Sequence, residues 1–215
     1  MGLKKCSTGV WAIALILLVL IADQAIKVMV KTHMFLFERI EVMPWFHISF
    51  TENSGMAFGM EFVGTWILAI FRLAAIFFFC IYLRRLVQRK ANKGFVFAIA
   101  LIVAGAIGNL IDNCLYGLIF TESLPAYVAS QPAQFVEFGH GYASFFNGRV
   151  VDMFYFPLFE WPTWMPIVGG STFFGAIFNL ADAAVTTGAI IILLFYSKLI
   201  FSNKPEAVSS DEESK

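Results

Sequence analysis

The chain has 215 residues, of which 59% are hydrophobic and 14% charged. Soluble domains carry roughly 25% charged residues, so the composition excludes an ordinary soluble protein and points to an integral membrane one. Basic and acidic residues balance at 15 each, and no nucleic-acid partner is expected from that balance.

Four stretches reach the roughly 20 apolar residues needed to cross a hydrocarbon core: 8–30, 63–83, 94–116 and 173–199. The expected fold class is an all-α membrane protein. Its four transmembrane helices form one domain over 1–203, with outer loops 31–62 and 117–172. The first stretch follows Lys4 and Lys5, as a signal peptide would. It lacks a convincing small-residue cleavage site and runs into Asp23, Gln24 and Lys27, so it reads as a retained helix.

Basic residues orient the spans. Arg84, Arg85, Arg89, Lys90 and Lys93 follow the second span, and Lys198 and Lys204 lie at or beyond the end of the fourth. The loop 117–172 holds Arg149 as its one basic residue. Lys31 and Arg39 dilute the contrast in the first loop without reversing it. Both termini are expected in the cytoplasm and the two long loops outside. The tail 204–215, ending SSDEESK, is expected to be disordered.

The outer loops carry strand signals. WFHISF (45–50) and RVVDMFYFPL (149–158) are strand candidates, and TENSGMAFG (51–59) has turn chemistry, with Gly55 and Gly59 permitting tight turns. Trp45, Phe46, Phe50, Tyr155, Phe156, Trp161 and Trp164 suit a small extracytoplasmic β-rich platform at headgroup level. An ordinary aromatic belt without a substrate role is the alternative. Cys6, Cys80 and Cys114 suggest no disulfide framework. His33, His47 and His140 have no metal-site spacing, so neither metal nor cofactor is expected.

The acids inside the spans carry the chemistry. An acid in a transmembrane helix is a functional-site hypothesis by default, and Asp182 interrupts the apolar run GAIFNLADAAVTTGAIIILLF (175–195). GAIGNLID (105–112) matches GAIFNLAD (175–182) at six of eight positions, so Asp112 repeats the Asp182 neighbourhood. On straight helices Asp23 lies about 22 Å into the first span, Asp112 about 27 Å into the third and Asp182 about 13 Å into the fourth. Because the spans alternate in direction, all three fall in the outer half of the bilayer. Asp152 precedes the last span and can reach the same level. Asn109 with Asp112, and Asn179 with Asp182, are three apart and share a face; Asp23 and Lys27 are four apart and suit an ion pair. Arg72 is the lone charge in mid-span.

The residues alone leave alternatives open. Asp23–Lys27 reads as a structural pair or as part of a site. Asp112 reads as a bundle hydrogen-bonding residue or as the partner of Asp182, and Asp152 as a loop residue or a second acid. Gly105, Gly108 and Gly175 suit close helix approach. Three functional classes compete: an aspartic peptidase, a proton-coupled transporter and a scaffold. A transporter predicts acids at several depths, and the inner half of these spans has almost none.

Five motifs in order then make a specific pattern: DQAIK (23–27), ENSGMAFG (52–59), GNLID (108–112), GRVVDMF (148–154) and FNLADAA (178–184). The pattern resembles the bacterial lipoprotein signal peptidases, the signal peptidase II family, from Asp23 to about Gly188. The resemblance implies an aspartic endopeptidase of the bacterial inner membrane, with its site toward the periplasm. It would cut prolipoprotein signal peptides just before a diacylglyceryl-modified cysteine, among membrane lipid, and be blocked by globomycin-type inhibitors. It implies catalytic Asp152 and Asp182, with Asp23, Lys27, Asn53, Gly55, Asn109, Asp112 and Asn179 in support. A monomer is expected. One departure stands out: the family arginine that follows GNLID is Asn113 here, and 39 residues (113–151) separate Asp112 from Asp152. Arg149 is the candidate replacement, and the insertion 113–148 suits a lid or a lipid-facing extension.

Overall fold

The computed structural model describes residues 7–53 and 65–197. Gly55, Gly59, Cys6 and the tail 204–215 lie outside them. Helix α1 (Thr8–His33) leads to strands β1 (Arg39–Met43) and β2 (Phe46–Asn53), then to α2 (Thr65–Gln88) and α3 (Lys93–Ile111). A π-helical turn (Asp112–Tyr116) and a short α4 (Gly117–Ile119) extend α3. Strands β3 (Val150–Tyr155), β4 (Phe159–Glu160), β5 (Thr172–Phe173) and β6 (Ile177–Phe178) precede α5 (Leu180–Phe195).

The helices wear their apolar side chains outward. Trp11, Leu18 and Ile21 on α1, Phe71, Phe77 and Phe78 on α2, and Leu193, Leu194 and Phe195 on α5 are all exposed. That is the inverse of a soluble bundle and the arrangement that suits lipid, whose tails, unlike water, accept apolar side chains. Among the described residues, Thr8–His33 and Lys93–Ile119 are long and apolar enough to cross a membrane.

The all-α expectation needs correction, because β1-β2-β3-β6 form a four-stranded antiparallel sheet. Both strand candidates are strands. The register places Thr51 opposite Asp152, and Phe154 opposite Phe178. The last helix is also shorter than the apolar run suggests. Residues 173–179 are apolar, but Phe173 pairs in β5 with β4, Phe174 turns the chain with φ 60°, and Ile177–Phe178 pair with β3, so helix starts only at Leu180. Gly175 accordingly lies between β5 and β6 rather than at a helix crossing.

Two apolar clusters bracket a polar layer. Ala12, Leu83, Phe95, Val96, Ile99 and Val103 pack on one side, and Val30, Phe50, Tyr116, Phe120, Val151 and Met153 on the other. Close helix approach brings α5 into that layer. A Cβ on Gly105 would stand 2.1 Å from the Ala181 carbonyl oxygen, so only glycine lets α3 and α5 meet there. The insertion 113–148 folds back on α4. Thr121 N donates to Gln134 O, Val136 N to Ile119 O, and Tyr142 N to Phe120 O.

Candidate active site

Lys27 is the hub of the polar layer. Its Nζ lies 3.0 Å from Asp23 Oδ2 and 2.8 Å from Asp112 Oδ2, and it donates to Asn109 Oδ1 at 2.8 Å. Asp23, Lys27 and Asp112 are all fully buried. Buried charges survive only when paired and hydrogen-bonded, and here the remaining oxygens are used. Asp23 Oδ1 accepts from Ala181 N at 2.9 Å, and Asp112 Oδ2 from Val151 N at 3.3 Å. One carboxylate therefore holds the start of α5, and the other holds β3.

Gln24, which the sequence did not single out as a site residue, ties these acids together. Its Nε2 donates to Asp112 Oδ1 at 2.9 Å, and its Oε1 accepts from the Tyr116 hydroxyl at 3.2 Å. The signal was available: an amide directly after an acid, in a span with almost no other polar residue. The π-turn has a function here too. It lets Asp112, Asn113 and Tyr116 all point into the protein, which a regular helix does less readily; such turns recur at functional sites.

Asp152 and Asp182 meet through Asn179. The Asn179 side chain donates through Nδ2 to Asp152 Oδ1 at 2.6 Å and accepts on Oδ1 from Asp182 N at 2.9 Å. Asp182 returns the contact from Oδ2 to Asn179 N, so Asn179 and Asp182 form a capping box at the N-terminus of α5. The other oxygen, Asp182 Oδ1, accepts from Asn109 Nδ2 at 2.7 Å. Asp182 therefore occupies the first helical turn instead of a position deep in the span. The Asp182 side is open: a groove of about 380 Å³ runs past Phe174, Phe178, Asp182, Thr186 and Thr187.

Asp152 is 4% exposed. Burial, and next the Asp182 charge beside it, push its carboxyl up to about 7, against the hydrogen bond from Asn179 and the charge of Lys27. Among the described residues no group of three or more His, Cys, Asp or Glu is arranged to hold a metal.

The other expected residues are placed as follows. Asn53 ends β2 opposite Val150, and Gly55 is not described. Arg149 lies beside β3 and does not contact Asn113. It pairs with Glu122 at 3.1 Å and Glu52 at 3.5 Å, because Glu52 is already fixed there by buried Lys31 and by Ser123. That cluster fastens the insertion to α1 and β2. The guanidinium that reaches Asn113 belongs to Arg72: its Nη1 donates to Asn113 Oδ1. Sequence marks Arg72 as unusual but cannot give the rotation of α2 that aims it.

Two carboxyls held by one residue, Asn179, supply groups of the kind that acid–base chemistry uses. The fold is similar to that of two bacterial membrane enzymes solved by the in meso method, with TM-scores of 0.59 and 0.57 at 23% and 24% identity, covering 94% and 100% of this chain and all of theirs.

The sequence model for Signal peptidase (SPase) II matches residues 15–198, and the chain belongs to this family. It is 43% identical over 223 residues to a lipoprotein signal peptidase of Porphyromonas gingivalis, covering 98% of this chain and 96% of that protein. It is 32% identical to one of Amoebophilus asiaticus, covering 83% and 74%. The activity is that of an aspartic endopeptidase that removes signal peptides from prolipoproteins. The proton-coupled transporter reading finds no support among these relatives.

Proposed function

We propose that Asp152 and Asp182 are the catalytic pair of this signal peptidase, acting on a precursor whose cysteine already carries a diacylglyceryl group. The observation that carries the reading is Asn179, whose side chain donates to the Asp152 carboxyl while its backbone N–H donates to the Asp182 carboxyl. Two neighbouring carboxyls share one proton, since both cannot ionise cheaply in a buried site. Asp152, with its carboxyl raised by burial and by its partner, starts protonated. Asp182 takes a proton from water, whose oxygen attacks the scissile carbonyl carbon. Asp152 gives its proton to the carbonyl oxygen. In the collapse Asp182 passes its new proton to the leaving nitrogen, the bond to the cysteine breaks, and Asp152 recovers a proton from the diol. The pair ends as it began.

Charge distribution and apolar exposure support the following topology. Four spans place both termini in the cytoplasm of the inner membrane, and the Asp152–Asp182 layer lies toward the periplasmic face. The sheet then rests at the headgroups, with its stacked Phe46, Phe156 and Phe178. The groove beside Asp182 receives the extended signal peptide among lipid. The enzyme acts as a monomer, and globomycin-type inhibitors compete for this groove.

A gel-shift assay in detergent tests the reading. The enzyme is expected to cleave a diacylglyceryl-modified prolipoprotein, to leave the unmodified precursor intact, and to be blocked by globomycin. Equal cleavage of both precursors would remove the lipid requirement. The rate is expected to fall as pH rises through about 7, where Asp152 loses the proton it must donate. The same shift has a stability sign. The folded state holds that proton more tightly than the unfolded one, so this contribution is complete below about 3.8 and is lost as pH rises through about 7. A rate that stays level well above neutrality would assign the proton elsewhere.

A further inference from the structure

We propose that Arg72 is the positioning cation of the Asp152–Asp182 pair: anchored by Asn113, its charge sets the pH window in which the pair holds a single proton. The inference rests on the reading of that pair as catalytic.

The charge inventory of the layer motivates it. Asp23 and Lys27 enter from α1, Asp112 from the π-turn, Asp152 from β3, Asp182 from α5 and Arg72 from α2. With one proton shared between Asp152 and Asp182, three of the four carboxylates are charged. Lys27 is committed to two of them, Asp23 and Asp112. The next cations, Lys31 and Arg149, are committed to Glu52 and Glu122. Arg72, whose guanidinium is within electrostatic reach of Asp182, Asp112 and Asp152, lowers the excess negative charge of the layer from two to one.

The anchor is built to hold it. Asn113 is buried, its Nδ2 donates to Gly148 O at 2.7 Å, and its carbonyl accepts from Gly148 N at 3.0 Å. With the amide nitrogen fixed, Oδ1 is left aimed at the guanidinium, and Arg72 Nη1 donates to it. Gly148 cannot be replaced without moving this anchor, because a Cβ there would stand 2.1 Å from Asp112 O. A charge in an otherwise apolar helix is expensive in lipid and marks function by default. A guanidinium suits the task because it does not titrate and has a planar fork of donors. The plainer role, a link tying α2 to the end of α3, predicts no change in proton chemistry.

The pH–rate profile of cleavage separates the two. Removing a nearby cation makes both ionisations of the pair harder, so both limits of the profile move up. For Arg72→Met the expected move is roughly one pH unit. Arg72→Lys keeps the charge and is expected to stay near the wild-type limits. The reversed pair, Arg72→Asn with Asn113→Arg, is expected to bring the limits back. Arg72→Met with both limits unmoved, at whatever rate, overturns the proposal. Should that variant not fold, Asn113→Ala decides. It leaves the charge but frees it, so the limits should move up by less, and unmoved limits again overturn the proposal. An active Asp152→Asn would instead sink the catalytic pair, which keeps the two failures apart.

Discussion

Asp152→Asn and Asp182→Asn are each expected to slow cleavage by at least about 10³-fold while leaving a folded protein. The two differ in what they do to the fold. An asparagine at position 152 can still accept from Asn179 Nδ2 through its own Oδ1. It also removes the repulsion that Asp152 feels from Asp182. Asp152→Asn should therefore melt no lower than wild type above neutral pH. Asp182→Asn can keep the Asn109 contact, but its new amide faces the Asn179 backbone N–H, and two donors then oppose each other. It should melt slightly lower. Cleavage assays beside thermal unfolding in detergent decide both points. Retained cleavage by either variant removes that residue from the pair.

Lys27→Met is expected to be the most destabilising single change in the polar layer. It leaves Asp23 and Asp112 as buried acids without their shared cation, a class of change that costs about 3–5 kcal/mol. The damage does not stay local, because Asn109 accepts from Lys27 and donates to Asp182. Cleavage should be lost even in the fraction that folds. Adding Asp112→Asn removes one stranded charge and should recover part of the stability without restoring the rate. Unfolding midpoints in detergent for wild type, Lys27→Met and the double variant test this. A Lys27→Met midpoint equal to wild type would mean that the two acids are neutral or solvated in the folded protein.

The parts of this architecture that could be read from sequence were those fixed by local periodicity and cost. The apolar runs of α1 and α3 are long and apolar enough to cross lipid, and they read as such in the sequence. The alternation in 46–50 and around Asp152 gave β2 and β3. The four-residue spacing of Asp23 and Lys27 gave their pairing at sight. The start of α5 was missed because 173–179 is apolar whether it becomes strand or helix, and pairing with β3 decides the matter from a distance. One local signal was present: Asn179 followed three residues later by Asp182 is a helix-start pattern. It would have moved Asp182 into the first turn. The contacts of Arg72 and Arg149 depend on how α2 rotates and how the insertion folds back, and neither is set by nearby residues.

The capping box has a consequence for motion. Helix ends fray, and in most proteins that costs little because nothing depends on the last turn. Here Asn179 both opens α5 and bridges the two acids, so a frayed first turn would disband the acid pair along with the helix end. The grip of Asp23 on Ala181 N, one residue into the helix, then acts as a clasp against fraying. If Asp152 and Asp182 are the catalytic pair proposed above, catalytic readiness and the order of a single helical turn become one quantity, and loosening that turn is expected to switch the enzyme off without unfolding it.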